Sequence, residues 1–227
     1  MTSRICVSIL PKNNQEALTL IERAEKAQAD LVEVRMDCFE TSRSLIELVE
    51  CTKLPLIATN KLVSEKGFFA GTEAERQQTL LKAAKNGFAY VDVNLSSPEL
   101  LEITKKLEKS GAQSIVSYHK YDGALTIPEM ETVLQKEIDS GASVCKIVGT
   151  AKTVADNVPT LNFVSANSSK TELVCFCMGE KGKISRLLSP MFGAFFTFAS
   201  LDKNCETAPG QMSIEEMKFA FNLLGAK

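Results

Sequence analysis

Gln113-Ser114-Ile115-Val116-Ser117-Tyr118-His119, then Pro128–Ser140, then Ser143-Val144-Cys145-Lys146-Ile147-Val148-Gly149: these three pieces decide the fold. The outer two are apolar runs of strand length. The middle one has helical spacing and is followed by Gly141. Strand, helix and strand in this order imply parallel pairing through a right-handed crossover. The alternation continues in both directions. Further strands are expected at Ile5–Leu10, Leu31–Asp37, Leu54–Asn60, Ala89–Leu95, Glu172–Met178 and Ala194–Ala199. Helices are expected at Asn13–Gln28, Ser42–Cys51, Glu73–Asn86, Pro98–Ser110, Thr153–Ala166 and Ser213–Leu224. Ser97-Pro98 reads as an N-cap with proline at the first helical position, and Ser213 with Glu216 as a capping box. The connection around Met178–Pro190 reads as irregular. Eight such units in 227 residues suit a closed (β/α)8 TIM barrel of eight parallel strands, in a single catalytic domain spanning 1–227. An open doubly wound sheet is the alternative, but no Gly-rich dinucleotide fingerprint follows the first strand.

Composition narrows the class. A hydrophobic fraction of 44% with 24% charged residues is ordinary for a globular domain, and the net charge of -2 is spread without a basic stripe. A nucleic-acid partner is therefore not expected. No apolar run approaches the roughly 18 residues of a membrane span. The chain enters its first strand directly from Met1-Thr2-Ser3-Arg4, with no signal-peptide pattern. Seven cysteines without CxxC spacing, beside one histidine, read as reduced thiols and not as a zinc site, and point to a cytoplasmic location.

Alternation along the strands then aims the charges. Glu33, Arg35 and Asp37 share one face of their strand, Asp92 and Asn94 share one, and Ser117 shares one with His119. Lys146 sits with Val144 and Val148 in a run that otherwise reads as fully buried. Polar groups from several strands thus converge on the barrel interior, near the carboxyl ends where such barrels carry their sites. Burial is expected to lower the Lys146 pKa and favour the neutral amine, a nucleophile toward ketones. His119 is the natural general acid–base beside it. A structural ion-pair cluster explains Glu33 with Arg35, but explains less well a lone lysine and the only histidine arriving from different strands.

The residues Glu33-Val34-Arg35-Met36-Asp37, Ser117-Tyr118-His119 and Lys146-Ile147 together resemble the type I 3-dehydroquinate dehydratase family. So do Met178-Gly179-Glu180-Lys181-Gly182-Lys183-Ile184-Ser185-Arg186 and Ala208-Pro209-Gly210-Gln211. These signatures span almost the whole chain in the family's order. The resemblance implies a (β/α)8 barrel that dehydrates 3-dehydroquinate to 3-dehydroshikimate in the shikimate pathway. It implies an imine on Lys146, proton transfers by His119, and Glu65 supporting the histidine. Arg186 would hold the substrate carboxylate, Glu33 and Arg35 would bind ring hydroxyls, and Gln211 would close over the substrate. Lys61, Met178 and Thr207 complete the expected substrate contacts. The resemblance implies a small-molecule substrate, no cofactor, no metal, and a homodimer.

Three positions depart from the family's pattern. Lys61 replaces an arginine, Lys66 a glycine, and Thr207 a serine. Lys61 keeps the charge but loses the planar fork. Two rival readings stay open at this point. A class I aldolase acting on a phosphorylated sugar would use the same barrel and lysine, and a non-catalytic barrel would bind a ligand without imine chemistry.

Overall fold

The computed structural model describes residues 3–39 and 45–226. Among them the chain forms β1 Ile5–Ile9, β2 Leu31–Arg35, β3 Leu56–Thr59, β4 Tyr90–Asn94, β5 Gln113–His119, β6 Val144–Thr150, β7 Glu172–Met178 and β8 Thr197–Ser200. The helices are α1 Asn14–Lys26, α2 Ile46–Glu50, α3 Glu73–Lys85, α4 Leu100–Lys109, α5 Ile127–Asp139, α6 Asn157–Asn167, α7 Lys183–Leu188 and α8 Ile214–Leu224. The first residues of the helix expected from Ser42 lie outside the described residues. All strand pairs are parallel, in the order β7-β6-β5-β4-β3-β2-β1-β8. The sheet curls until its ends meet: Phe195 N donates to Leu173 O at 2.8 Å across the β7–β8 seam. This is the expected (β/α)8 barrel.

Inner and outer residues alternate as the pleat requires. Val32, Val34, Ala58, Val91 and Val93 pack outward in one continuous core with α1, α3 and α4 residues such as Ile21, Leu80 and Ile103. Leu31, Ile57, Ile115, Val144, Val174 and Phe196 point inward and fill the barrel floor. One step further along the same inner faces come Glu33, Thr59, Asp92, Ser117 and Lys146. The apolar floor therefore sets a polar layer above it, toward the carboxyl ends.

Capping boxes start three helices: Thr72 with Glu75, Thr126 with Glu129, and Ser213 with Glu216. Each such N-cap contributes about 1 kcal/mol. Ser97-Pro98 does not start α4 as expected. The Ser97 hydroxyl accepts a hydrogen bond from Arg76 Nη2 at 2.6 Å, and the helix opens at Leu100 after Glu99, which has φ 54°. Pro98 belongs to that turn. The last strand also starts later than expected, because its ladder partner β1 begins at Ile5, opposite Thr197. β2 stops at Arg35, and Met36–Cys38 tighten into a 3-10 turn. The irregular stretch after β7 contains α7 between two 3-10 turns, Glu180–Gly182 and Ser189–Phe192. Among the described residues no helix is long and apolar enough to cross a membrane.

Candidate active site

A cavity of about 260 Å³ opens at the carboxyl ends of the strands, and every site residue nominated from the sequence lines it. Its chemistry is built on adjacent strands. Ser117 of β5 pairs with Lys146 of β6, and His119 pairs with Val148 one inner step higher, so the imidazole stands a layer above the amine. Lys146 is 5% exposed. Its Nζ donates to Asp92 Oδ2 at 2.8 Å, lies 3.8 Å from Glu33 Oε1 and sits 4.3 Å over the Phe198 ring.

The charge state of this amine differs from the sequence expectation. Burial pulls the ammonium's pKa down, but Asp92 and Glu33 outweigh that and hold it above the ordinary lysine value. Lys146 rests as a charged ammonium, and a nucleophilic attack has to begin with loss of its proton. His119 shifts the other way. Burial, then the neighbouring Lys61 and Lys146 charges, push the imidazole well below its usual value against the pull of Asp92. It rests neutral, as a base. Its ring stacks on Tyr121, with centroids 6.0 Å apart.

Asp92 sits at the centre of the polar layer. Burial raises its pKa, but Lys146 and Lys61 outweigh burial and keep the carboxylate ionised far below the ordinary range. Lys61 Nζ donates to Asp92 Oδ1 at 2.6 Å and to Ser117 Oγ at 2.9 Å. Glu33 accepts hydrogen bonds from Ser8 Oγ and, at 2.8 Å, from Thr59 Oγ1. Arg35 grips Asp37 through Nε and Nη2 at 2.8 and 2.6 Å, which fixes the plane of its guanidinium at the rim.

Glu65 does not address the imidazole directly. Its carboxylate accepts from Leu62 N at 3.3 Å and pairs with Arg76 Nη1 at 3.7 Å. It reaches His119 through its backbone carbonyl, which accepts from Tyr121 Oη at 2.7 Å, while the Tyr121 ring stacks on the imidazole.

The opposite wall is different. Arg186 is 1% exposed, and among the described residues no carboxylate pairs with it. It lies 4.3 Å over the Phe176 ring, and Nη2 donates to Pro209 O at 3.4 Å. Its Nε has no hydrogen-bond partner among the described residues. Burial of the guanidinium, against a smaller opposing pull from Cys177, brings its pKa down to about 9. Such a group is expensive to leave uncompensated, and it is suited to receive an anion through its planar fork. Above it, Gly179 N donates to Pro209 O at 3.0 Å, and Thr207 N donates to Gln211 Oε1 at 2.7 Å. Met178 lines the same wall. The sequence reading placed Asp92 on an inner face but missed its part as the hub. It also missed Phe176 and Phe198, because an aromatic in an apolar strand looks like core packing, and Tyr121, because it lies in a polar turn just past the end of β5.

Side chains from five strands meet where barrels of this kind carry out reactions, with a buried amine, a neutral imidazole and an anion seat in reach of one ligand. That makes this a (β/α)8-barrel enzyme. The model of the type I 3-dehydroquinase family matches residues 5–227, and the chain belongs to that family. It is 32% identical over 221 residues to the 3-dehydroquinate dehydratase of Desulfotalea psychrophila, covering 96% of each chain. It is also 32% identical over 217 residues to the one from Methanothermobacter thermautotrophicus, covering 95% of this chain and 94% of that one. The crystal structure of the Geobacillus kaustophilus 3-dehydroquinate dehydratase shares the fold with a TM-score of 0.89 at 23% identity, over 99% of this chain and 92% of that chain.

Proposed function

We propose that this chain is a lyase that dehydrates 3-dehydroquinate to 3-dehydroshikimate, a step of the shikimate pathway, through an imine on Lys146. The observation that carries this reading is one cavity holding a buried amine, an imidazole and a buried guanidinium that pairs with no carboxylate among the described residues. Membership of the family and the names of its relatives support it.

The residues divide the work as follows. Arg186 receives the substrate carboxylate, which sits on the carbon that loses its hydroxyl. Lys146 gives up a proton to His119 and attacks the ketone. The His119 imidazolium returns that proton to the carbinolamine hydroxyl, which leaves as water, and a protonated imine remains. Neutral His119 then removes the proton beside the imine carbon, and the electron pair moves into the enamine. As the enamine collapses back to the imine, the β-hydroxyl departs and takes its proton from His119. Water hydrolyses the imine, freeing product and amine. The imine is the electron sink that makes the neighbouring C–H acidic enough for imidazole. Glu33, Arg35, Met178, Thr207 and Gln211 surround the ring. Glu65 supports His119 through Tyr121.

A homodimer, implied by the family resemblance, belongs to the same reading, as do the cytoplasmic location read from the reduced cysteines and the single catalytic domain 1–227 read from the eight strand–helix units. Sedimentation of the purified protein tests the dimer.

Borohydride added with 3-dehydroquinate, followed by peptide mass mapping, tests the chemistry. A reduced adduct on Lys146 is expected, and Lys146→Ala should lose both the adduct and about 10⁴-fold or more in kcat. Turnover without an adduct overturns the imine mechanism, and an adduct on another lysine overturns the assignment to Lys146.

A further inference from the structure

We propose that Asp92 is a positioning residue for the Lys146 chemistry, holding the amine charged and aimed until substrate arrives, and that Lys61 is its second counter-ion and not a clamp on the substrate. The inference rests on the imine reading for its purpose and on the geometry of the polar layer for its content.

Asp92 is 1% exposed, and both of its oxygens are occupied. Oδ2 accepts from Lys146 Nζ at 2.8 Å. Oδ1 accepts from Lys61 Nζ at 2.6 Å and from Ser117 Oγ at 2.8 Å. Lys61 also donates to the Ser117 hydroxyl at 2.9 Å, so Ser117 ties the pair together. Two ammoniums thus share one carboxylate, and each weakens that carboxylate's hold on the other. The other groups facing this cluster are Cys6 from β1, Glu33 and Arg35 from β2, and His119 from β5 with Tyr121 just beyond it, while β7 and β8 supply the apolar Val174, Phe176 and Phe198. Behind the strand, the buried Glu137 of α5 also interacts with Asp92 and Lys146, and burial holds its carboxyl well above the usual carboxylate range. Among these only Glu33, at 3.8 Å, gives Lys146 a second negative charge. Lys61 lines the cavity but directs two of its three donors to Asp92 and Ser117, which turns much of its charge toward the network at the cavity floor. A planar guanidinium at this position would address the carboxylate with a fixed fork, whereas an ammonium acts as a point charge.

Opposite effects on the amine follow. Removing the Asp92 charge leaves Lys146 with Glu33 alone, and the free amine forms at lower pH. Removing the Lys61 charge commits Asp92 wholly to Lys146, and the free amine forms at higher pH. A residue that only supports the fold moves neither.

The test is the pH profile of Lys146 acetylation by acetic anhydride in the ligand-free protein, read by peptide mass mapping, beside steady-state kinetics. In Asp92→Asn the labelling half-point falls by about one pH unit or more, and kcat drops about 100-fold with KM within about threefold. In Lys61→Met the half-point rises by about one unit, and kcat at neutral pH falls about tenfold with KM again within about threefold. Lys61→Arg returns the half-point to that of the unmodified protein. Half-points that stay put in Lys61→Met overturn the proposal, as does a KM rise of about tenfold or more in that variant, which makes Lys61 a substrate clamp. Lys61→Met decides the question even where Asp92→Asn fails to fold. Absence of a borohydride adduct in the unmodified protein overturns the imine reading instead, and the labelling shifts then still report whether Asp92 governs the amine.

Discussion

The two walls of the cavity handle charge in opposite ways. On the side built by β2 to β6, each buried cation has its carboxylate: Arg35 has Asp37, and Lys61 and Lys146 share Asp92, while the exposed Lys66 rests over the Tyr121 ring. On the side built by β7, β8 and α7, Arg186 rests on an aromatic ring and a backbone carbonyl, with no carboxylate among the described residues. Both arrangements are buried, so neither is explained by solvent. The first wall is complete as folded and can hold reacting groups in place. The second is short of one negative charge, and binding supplies it. On the proposed reading, the placement of that shortage selects an anionic ligand and decides which end of it faces away from the amine.

Substituting Arg186 separates the walls most strongly. Arg186→Met keeps the packing on Phe176 and removes the unpaired charge. Thermal unfolding without ligand should show a gain on the order of 1–3 kcal/mol, because a desolvated guanidinium is no longer trapped in the fold. The same variant should lose about 10²–10³ in kcat/KM, the value of two charge-assisted hydrogen bonds to a carboxylate. A variant that is both less stable and fully active would erase the distinction between the walls.

The loop over the aromatic wall gives a smaller effect. Gly210 has φ 74°, and an added Cβ would lie 2.2 Å from Gly179 O, against the backbone that Pro209 also contacts. Gly210→Ala should raise KM about tenfold and cost about 1–3 kcal/mol of stability. Gly225→Ala is the control. It has a similar φ of 69° but nothing within 4 Å of the new Cβ, so it should cost only about 1 kcal/mol and leave KM alone. Equal effects in both would mean that the loop contact matters less than backbone strain.

The smallest change sharpens the polar wall. The Glu65 carboxylate faces Leu62 N and Arg76, so Glu65→Gln should lower kcat by no more than about threefold. A loss of about 100-fold or more would put that carboxylate on the imidazole during turnover.

Much of this was legible in the chain. β5 and β7 have the bounds expected from their apolar runs, and inner-face alternation correctly gathered Glu33, Arg35, His119 and Lys146. What alternation cannot give is partner choice. It places Asp92 inside the barrel but does not show that Lys61 and Lys146 both turn toward it, because that depends on strand stagger. For the same reason the Lys146 charge state was misjudged: burial was visible in the sequence, and the compensating carboxylates were not. Ser97 shows the same limit at a helix end, where a distant arginine took the hydroxyl that local pattern assigned to capping. At β8 the apolar run continues past the ladder, and only pairing with β1 decides where the strand starts.

The join between β7 and β8 carries one further consequence. Elsewhere neighbouring strands are stitched by repeated backbone hydrogen bonds, so the girth of the barrel is set. At this join, among the described residues, Phe195 N to Leu173 O is the backbone bond that crosses, and aromatic side chains bridge the rest, with the Phe176 and Phe198 centroids 6.1 Å apart. Rings slide over one another at little cost, whereas a hydrogen-bonded ladder shifts only in whole steps. The circumference is therefore least constrained on the side that carries Arg186 and most constrained where β2 to β6 hold Lys146. On the proposed reading, a six-membered ring that flattens as it reacts would be accommodated at the hinge line of the barrel and not at its anvil.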